Sequence, residues 1–155
     1  MGSVIWKRSV LVTRSIATRW LGVYCYDHDF HAPDLYADTK FEMTFAIGWF
    51  GRLSGTIVDA EPGIAEPASI RGWITRFRIA FKKQYASLWV PDESGNLSAI
   101  PGQKSYVLNY VGDIVDNGTR LTGTWQIPSQ RRWIDGSPWD FPTCTGTWSA
   151  KSLIE

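Results

Sequence analysis

Lys83 and Asp59 are the residues of this chain best placed for chemistry, because each falls on the apolar face of an alternating segment. Lys83 shares parity with Ile79, Phe81 and Tyr85, while Arg78, Lys82 and Gln84 fall opposite. Asp59 shares parity with Ile57. A lysine among apolar side chains must find a partner or give up its proton, so a lowered pKa is expected. Tyr24, Tyr26, Tyr85 and Tyr106 point toward the same end, and their hydroxyls need partners if buried. Such a patch suits the orientation of a carbonyl or carboxylate within an apolar pocket. In an enzyme, Lys83, Tyr85 and Asp59 are the candidate catalytic groups, with a tyrosine or Lys83 polarising a carbonyl. Both charged residues lie near segment ends, which favours a solvated rim pair over a buried one.

Other constellations carry less. Asp27-His28-Asp29-Phe30-His31 holds both histidines of the chain, but the spacing matches no strong metal signature and the segment reads as a loop, so no metal is expected. No glycine-rich turn follows a strand and opens a helix, and no nucleophile motif stands beside either histidine, so nucleotide binding, triad catalysis and cofactors are not expected. The stretch Pro128 to Thr145 carries Trp133, Trp139 and Phe141, stiffened by Pro128, Pro138 and Pro142. Exposed rings there would form a lid or partner patch; buried ones would plug the interior.

The elements that position these residues follow from period-two alternation broken by turn residues. Nine Trp, six Tyr and seven Phe suit strands, where large rings pack well. Eight strands are predicted: Trp20–Tyr26, Lys40–Phe50, Leu53–Asp59, Ala68–Ile74, Phe77–Tyr85, Tyr106–Val115, Arg120–Ile127 and Gly146–Lys151. Short connections (Gly51-Arg52, Thr75-Arg76, and the Asn117-Gly118 turn) alternate with long ones at Asp27–Thr39, Ala60–Pro67, Ala86–Ser105 and Pro128–Thr145. In an up-and-down meander this puts every tight turn at one end and every long loop at the other. Closure would remove exposed sheet edges, and eight strands enclose a space that side chains fill or that holds one small ligand. The expectation is an all-β, eight-stranded antiparallel barrel over residues 20–155. A segment over residues 1–19 is expected to pack across the closed end. The inward parity also takes in Met43, Phe45, Ile57, Ile70, Leu108, Tyr110, Trp125 and Trp148. The candidate ligand-binding set is Tyr24, Tyr26, Met43, Asp59, Phe81, Lys83, Tyr85, Tyr106, Leu108, Trp125, Trp133 and Trp139.

Five stretches carry a resemblance to the calycin superfamily, the barrels that include lipocalins and fatty-acid-binding proteins. They are Trp20-Leu21-Gly22-Val23-Tyr24-Cys25-Tyr26, Gly51-Arg52-Leu53-Ser54-Gly55-Thr56-Ile57-Val58-Asp59, Ile79-Ala80-Phe81-Lys82-Lys83-Gln84-Tyr85, Gly123-Thr124-Trp125 and Gly146-Thr147-Trp148. The chain looks closest to small bacterial lipocalin-like domains of unassigned activity. The resemblance implies the barrel and an internal cavity, but supplies no ligand. Trp20-Leu21-Gly22 reverses the lipocalin Gly-x-Trp pattern, so lipocalin function is not carried over.

Composition narrows the partners. Sixteen basic and fifteen acidic residues give a net charge of +1, with no basic cluster dense enough for nucleic acid. No apolar run approaches the roughly 20 residues of a membrane span, so no membrane partner is expected. The absence of an export-type apolar run points to the cytoplasm, where Cys25 and Cys144 are expected to be free thiols; a monomer or homodimer is expected. The expected function is the binding of a small, largely apolar or aromatic molecule inside the barrel at its long-loop end. A cofactor-independent cyclase or isomerase that shapes a flexible substrate is the alternative, and a filled barrel that engages a protein partner is the third reading.

Overall fold

A computed structural model describes residues 18–27 and 38–153. Twelve strands run in chain order: β1 (Arg19–Tyr26), β2 (Thr39–Ile47), β3 (Arg52–Asp59), β4 (Ala68–Ile74), β5 (Arg78–Tyr85), β6 (Leu88–Pro91), β7 (Leu97–Ile100), β8 (Leu108–Val115), β9 (Arg120–Ile127), β10 (Gln130–Ile134), β11 (Ser137–Phe141) and β12 (Cys144–Ser152). Eight of them close an antiparallel barrel in the order β1-β12-β9-β8-β5-β4-β3-β2. These are the eight predicted strands, with ends moved by a few residues. The expected capping segment lies outside the described residues up to residue 17, as do His28, Asp29 and His31.

The barrel forms because alternation and register agree. Met43 lies opposite Ile57, Ile70 opposite Lys83, Phe81 opposite Tyr110, and Tyr110 opposite Trp125. Each pair faces the interior, and together they fill it. Phe81 stacks on Tyr110 with ring centroids 4.8 Å apart, and Trp148 meets both edge-on. Such ring pairs add about 0.5–1.5 kcal/mol each beyond the area they bury. Trp20, Met43 and Leu121 are completely buried toward the tight-turn end.

Small residues opposite large ones let the rings fit. Gly146 on β12 pairs with Trp125 on β9. A Cβ there would sit 2.0 Å from the Cys25 carbonyl and 2.4 Å from the Trp125 ring. Trp125 in turn donates its indole N–H to that same carbonyl at 3.1 Å, tying β9 to β1 across the intervening strand.

Three expectations need correction. The inward alternation of β2 does not run on to Phe50. The strand stops at Ile47, and Trp49 and Phe50 form a tight 3-10 turn in which both rings are exposed. Tyr106 precedes β8 instead of opening it. Finally, two long connections hold hairpins of their own, β6–β7 and β10–β11. The second turns at Asp135-Gly136, both with positive φ, an Asp-Gly hairpin signal that the proline-rich surroundings obscured. Leu88 and Val90 of β6 pack with Ile134 of β10 into a small second core, which Tyr106 and Phe141 join.

Gly146→Ala is expected to cost about 1–3 kcal/mol, because backbone as well as ring must shift. A urea unfolding curve with a lowered midpoint and unchanged slope would show it. An unchanged midpoint would mean that the Trp125–Gly146 contact is not a constraint on the barrel.

Candidate functional site

Asp59 is the last residue of β3 and Lys83 lies two residues from the end of β5, yet neither is solvated. Their side chains are 0% and 1% exposed. The expectation of a rim pair fails because the β3–β4 connection folds back over them. Gly63 sits so close that a Cβ would lie 2.7 Å from Asp59 Cβ and from Thr39 Cγ2, and Ile64 packs against the core beside it. Ser105 closes the β5 side by accepting the Tyr85 backbone N–H on its hydroxyl at 2.9 Å.

The result is a buried carboxylate with several donors. Lys83 Nζ lies 2.9 Å from Asp59 Oδ1 and 3.1 Å from Oδ2. The Tyr85 hydroxyl donates to Oδ2 in a short bond, and Tyr24 reaches the same oxygen at 3.4 Å. The ammonium also lies 5.0 and 4.9 Å from the ring centroids of Tyr24 and Tyr85, where the ring faces attract a cation. Desolvation lowers the Lys83 pKa from its ordinary value, and attraction to Asp59 opposes that shift. Burial, then the Asp59 charge, raises the phenols of Tyr24 and Tyr85 well above the usual tyrosine range. Burial, followed by the nearby Tyr24 and Asp59, does the same to Tyr110. These phenols stay protonated, and those of Tyr24 and Tyr85 donate to Asp59.

The structure therefore brings together Asp59, Lys83, Tyr85 and Tyr24 from the candidate set. Met43, Phe81 and Leu108 lie in the packed barrel core. Trp125 is buried just beneath the long-loop end, with the partly buried Tyr26 ring edge-on to it at 4.9 Å. Tyr106 bridges the barrel and the second core. Trp133 lies on the outer face of the β10–β11 hairpin, 61% exposed, because alternation turns Ile134 inward, whereas Trp139 shares the face of Ile134 and Phe141, stacks on the Phe141 ring and is 40% exposed. Cys25 and Cys144 are free. Cys25 pairs with Thr147, three residues along β12 from Cys144, a separation of roughly 10 Å that no disulfide spans. Burial, helped by Asp27, pushes the Cys144 thiol up to about 11. Among the described residues no group of three or more His, Cys, Asp or Glu side chains is arranged to hold a metal.

Sequence reasoning missed Trp89. Alternation along β6 turns Leu88 and Val90 toward the hairpin core and Trp89 toward the barrel, where it packs against the main core. Its Nε1 is buried and has no hydrogen-bond partner. A buried donor left unmade costs about 1–3 kcal/mol. Its signal, the alternation of Leu88-Trp89-Val90, was present in the sequence, but lay inside a connection read as a loop.

The chain matches no family model, and comparisons with curated proteins and with solved structures give no match.

Two outcomes are expected from the polar cluster. Asp59→Ala leaves an ammonium unpaired among rings and should lose about 3–5 kcal/mol in urea unfolding, with Lys83→Met in the same background restoring most of it. A double variant as unstable as the single would show that the charge pair is not what the carboxylate supports. The second outcome concerns alkaline pH. Above about pH 10 the unfolded chain releases phenolic protons that the folded chain retains on Tyr24, Tyr85 and Tyr110. The folded state then binds more protons, so these phenols make stability fall as pH rises. The lowered Lys83 pKa acts in the opposite sense, relieving a penalty as pH climbs toward the ordinary lysine value. Ultraviolet titration should therefore show these three tyrosines ionising only on unfolding.

Proposed function

We propose that this barrel binds a small, largely apolar molecule carrying one hydrogen-bond acceptor, held at the long-loop end beneath the β6–β7 hairpin. The observation that carries the reading is the buried, unpartnered indole N–H of Trp89. Native interiors seldom leave such a donor unmade, and a ligand carbonyl, carboxylate or ether oxygen would satisfy it. At the same end, the partly buried Tyr26, Ile64 and Tyr106 supply apolar surface against the core. Aromatic walls with a few placed polar groups are the usual make-up of a small-molecule site. The resemblance to calycin barrels, which hold ligands at their open ends, points the same way.

In this reading Asp59, Lys83, Tyr85 and Tyr24 form the polar floor of the site and do not react. Lys83 and Tyr85 direct their donors into Asp59, so a substrate carbonyl would have to displace a made bond to be polarised. This is why we favour binding over cyclisation.

Uptake of two fluorescent probes tests the proposal: cis-parinaric acid, which carries a carboxylate, and N-phenylnaphthylamine, which carries no comparable acceptor. The wild-type protein should take up both. Trp89→Phe keeps a ring but removes the donor, and should weaken cis-parinaric acid binding about tenfold while leaving N-phenylnaphthylamine unchanged. Because the lost N–H made no bond, the variant should fold at least as stably as the wild type. If neither probe enters the wild-type protein, the binding reading is wrong.

A further inference from the structure

The opposite end of the barrel carries an unexplained feature. Trp49 and Phe50 at the β2–β3 turn are 86% and 98% exposed. Phe50 has φ +59°, a left-handed conformation that disfavours a bulky side chain. An exposed ring in that conformation does nothing for the fold. The β4–β5 turn lies directly alongside, since Gly51 presses against the Ile74 carbonyl so closely that a Cβ would lie 2.2 Å from it. That turn presents Phe77, 66% exposed, with the Arg76 guanidinium over its ring at 5.3 Å. On the outer face between the two turns, Trp73 pairs with Arg52.

Charge separates along the barrel axis. The aromatic tips are flanked by Arg52, Arg76 and Arg78, and Arg120 and Lys151 line a groove at the same end, where basic residues outnumber the acidic Asp113, paired with Arg78, and Asp116 in the groove itself. Glu61, Glu66, Asp92, Glu93, Asp135 and Asp140 belong to connections or hairpins of the long-loop end, where they outnumber Lys104, Arg132 and Arg131, the last paired with Asp140. The net charge of +1 therefore conceals a basic, aromatic-tipped end and an acidic mouth.

We propose that the tight-turn end is a docking surface for a membrane face rich in anionic lipid headgroups, with Trp49, Phe50 and Phe77 seated in the interface and the arginines on the phosphates. Trp is favoured at the depth of lipid headgroups, basic side chains near an anionic leaflet each add attraction, and guanidinium groups pair well with phosphate oxygens. Separate convex tips suit a deformable interface better than the broad complementary face a stable protein partner requires. A second copy would bring like charges together. Docking of this kind needs no apolar span, and among the described residues no helix is long enough to cross a membrane. It goes beyond the expectation of no membrane partner, which rested on the lack of an apolar span. It is independent of the ligand site, which would face away from the lipid.

Co-sedimentation with vesicles of phosphatidylcholine alone, and of phosphatidylcholine mixed with phosphatidylserine, tests the proposal. The wild-type protein should sediment with the mixed vesicles only, and release as salt is raised. Trp49→Ser combined with Phe50→Gly should lower partitioning about tenfold or more. The same variant should melt no lower than the wild type, since glycine accepts the left-handed turn. Three results would overturn the proposal: no binding to either vesicle, equal binding by wild type and variant, or a wild-type dimer in sedimentation equilibrium that the variant abolishes.

Discussion

Closure of the sheet through the β1–β12 ladder is the constraint on which everything else in this molecule depends. Seven residues of β1 pair in register with β12, and no barrel strand is left with an open edge. Every inward side chain is thereby held between neighbours on both sides, which turns a one-sided alternation into an enclosed core. The approach of Gly146 to the Cys25 carbonyl and the Trp125 indole bond to the same oxygen lie on this seam. Ring packing and strand closure thus reinforce each other.

Inside that frame, the Asp59–Lys83 pair occupies a place where an apolar pair would be the simpler choice. Exchanging a buried ion pair for packed hydrophobes is often neutral or favourable. Its retention here, with Tyr85 and Tyr24 donating to the same carboxylate, sets a directional network at one end of an otherwise nondirectional core. The network reaches β1, β3 and β5 and requires the β3–β4 connection to lie over it. It therefore ties three strands and that connection together at the long-loop end.

The two ends of the barrel have diverged in character. One is acidic and roofed by two hairpins that share a small core of their own. The other is basic, with bare aromatic tips and tight turns. A barrel allows such division because its ends are joined only through the rigid wall, so loops at one end vary without disturbing the other.

Alternation alone determined the eight barrel strands, their up-and-down order and the inward assignment of residues such as Phe81, Lys83 and Trp125, because strand geometry commits successive side chains to opposite faces. Sequence also placed Asp59 and Lys83 on the same side. It could not show that they are buried, since burial at a strand end depends on where a connection folds, and Gly63 reaches Asp59 only through the closed tertiary arrangement. The β6–β7 and β10–β11 hairpins were obscure for a related reason. Their strands are short, interrupted by Pro91 and Pro138, and hold their shape by packing on each other. The exposure of Trp49 and Phe50 was hidden because their alternation continues that of β2 in the sequence. Only the turn that reverses the chain at Gly51 takes them off the barrel wall. Local periodicity is written in the residues themselves, whereas burial and exposure at the ends of elements are settled by what the rest of the chain lays across them.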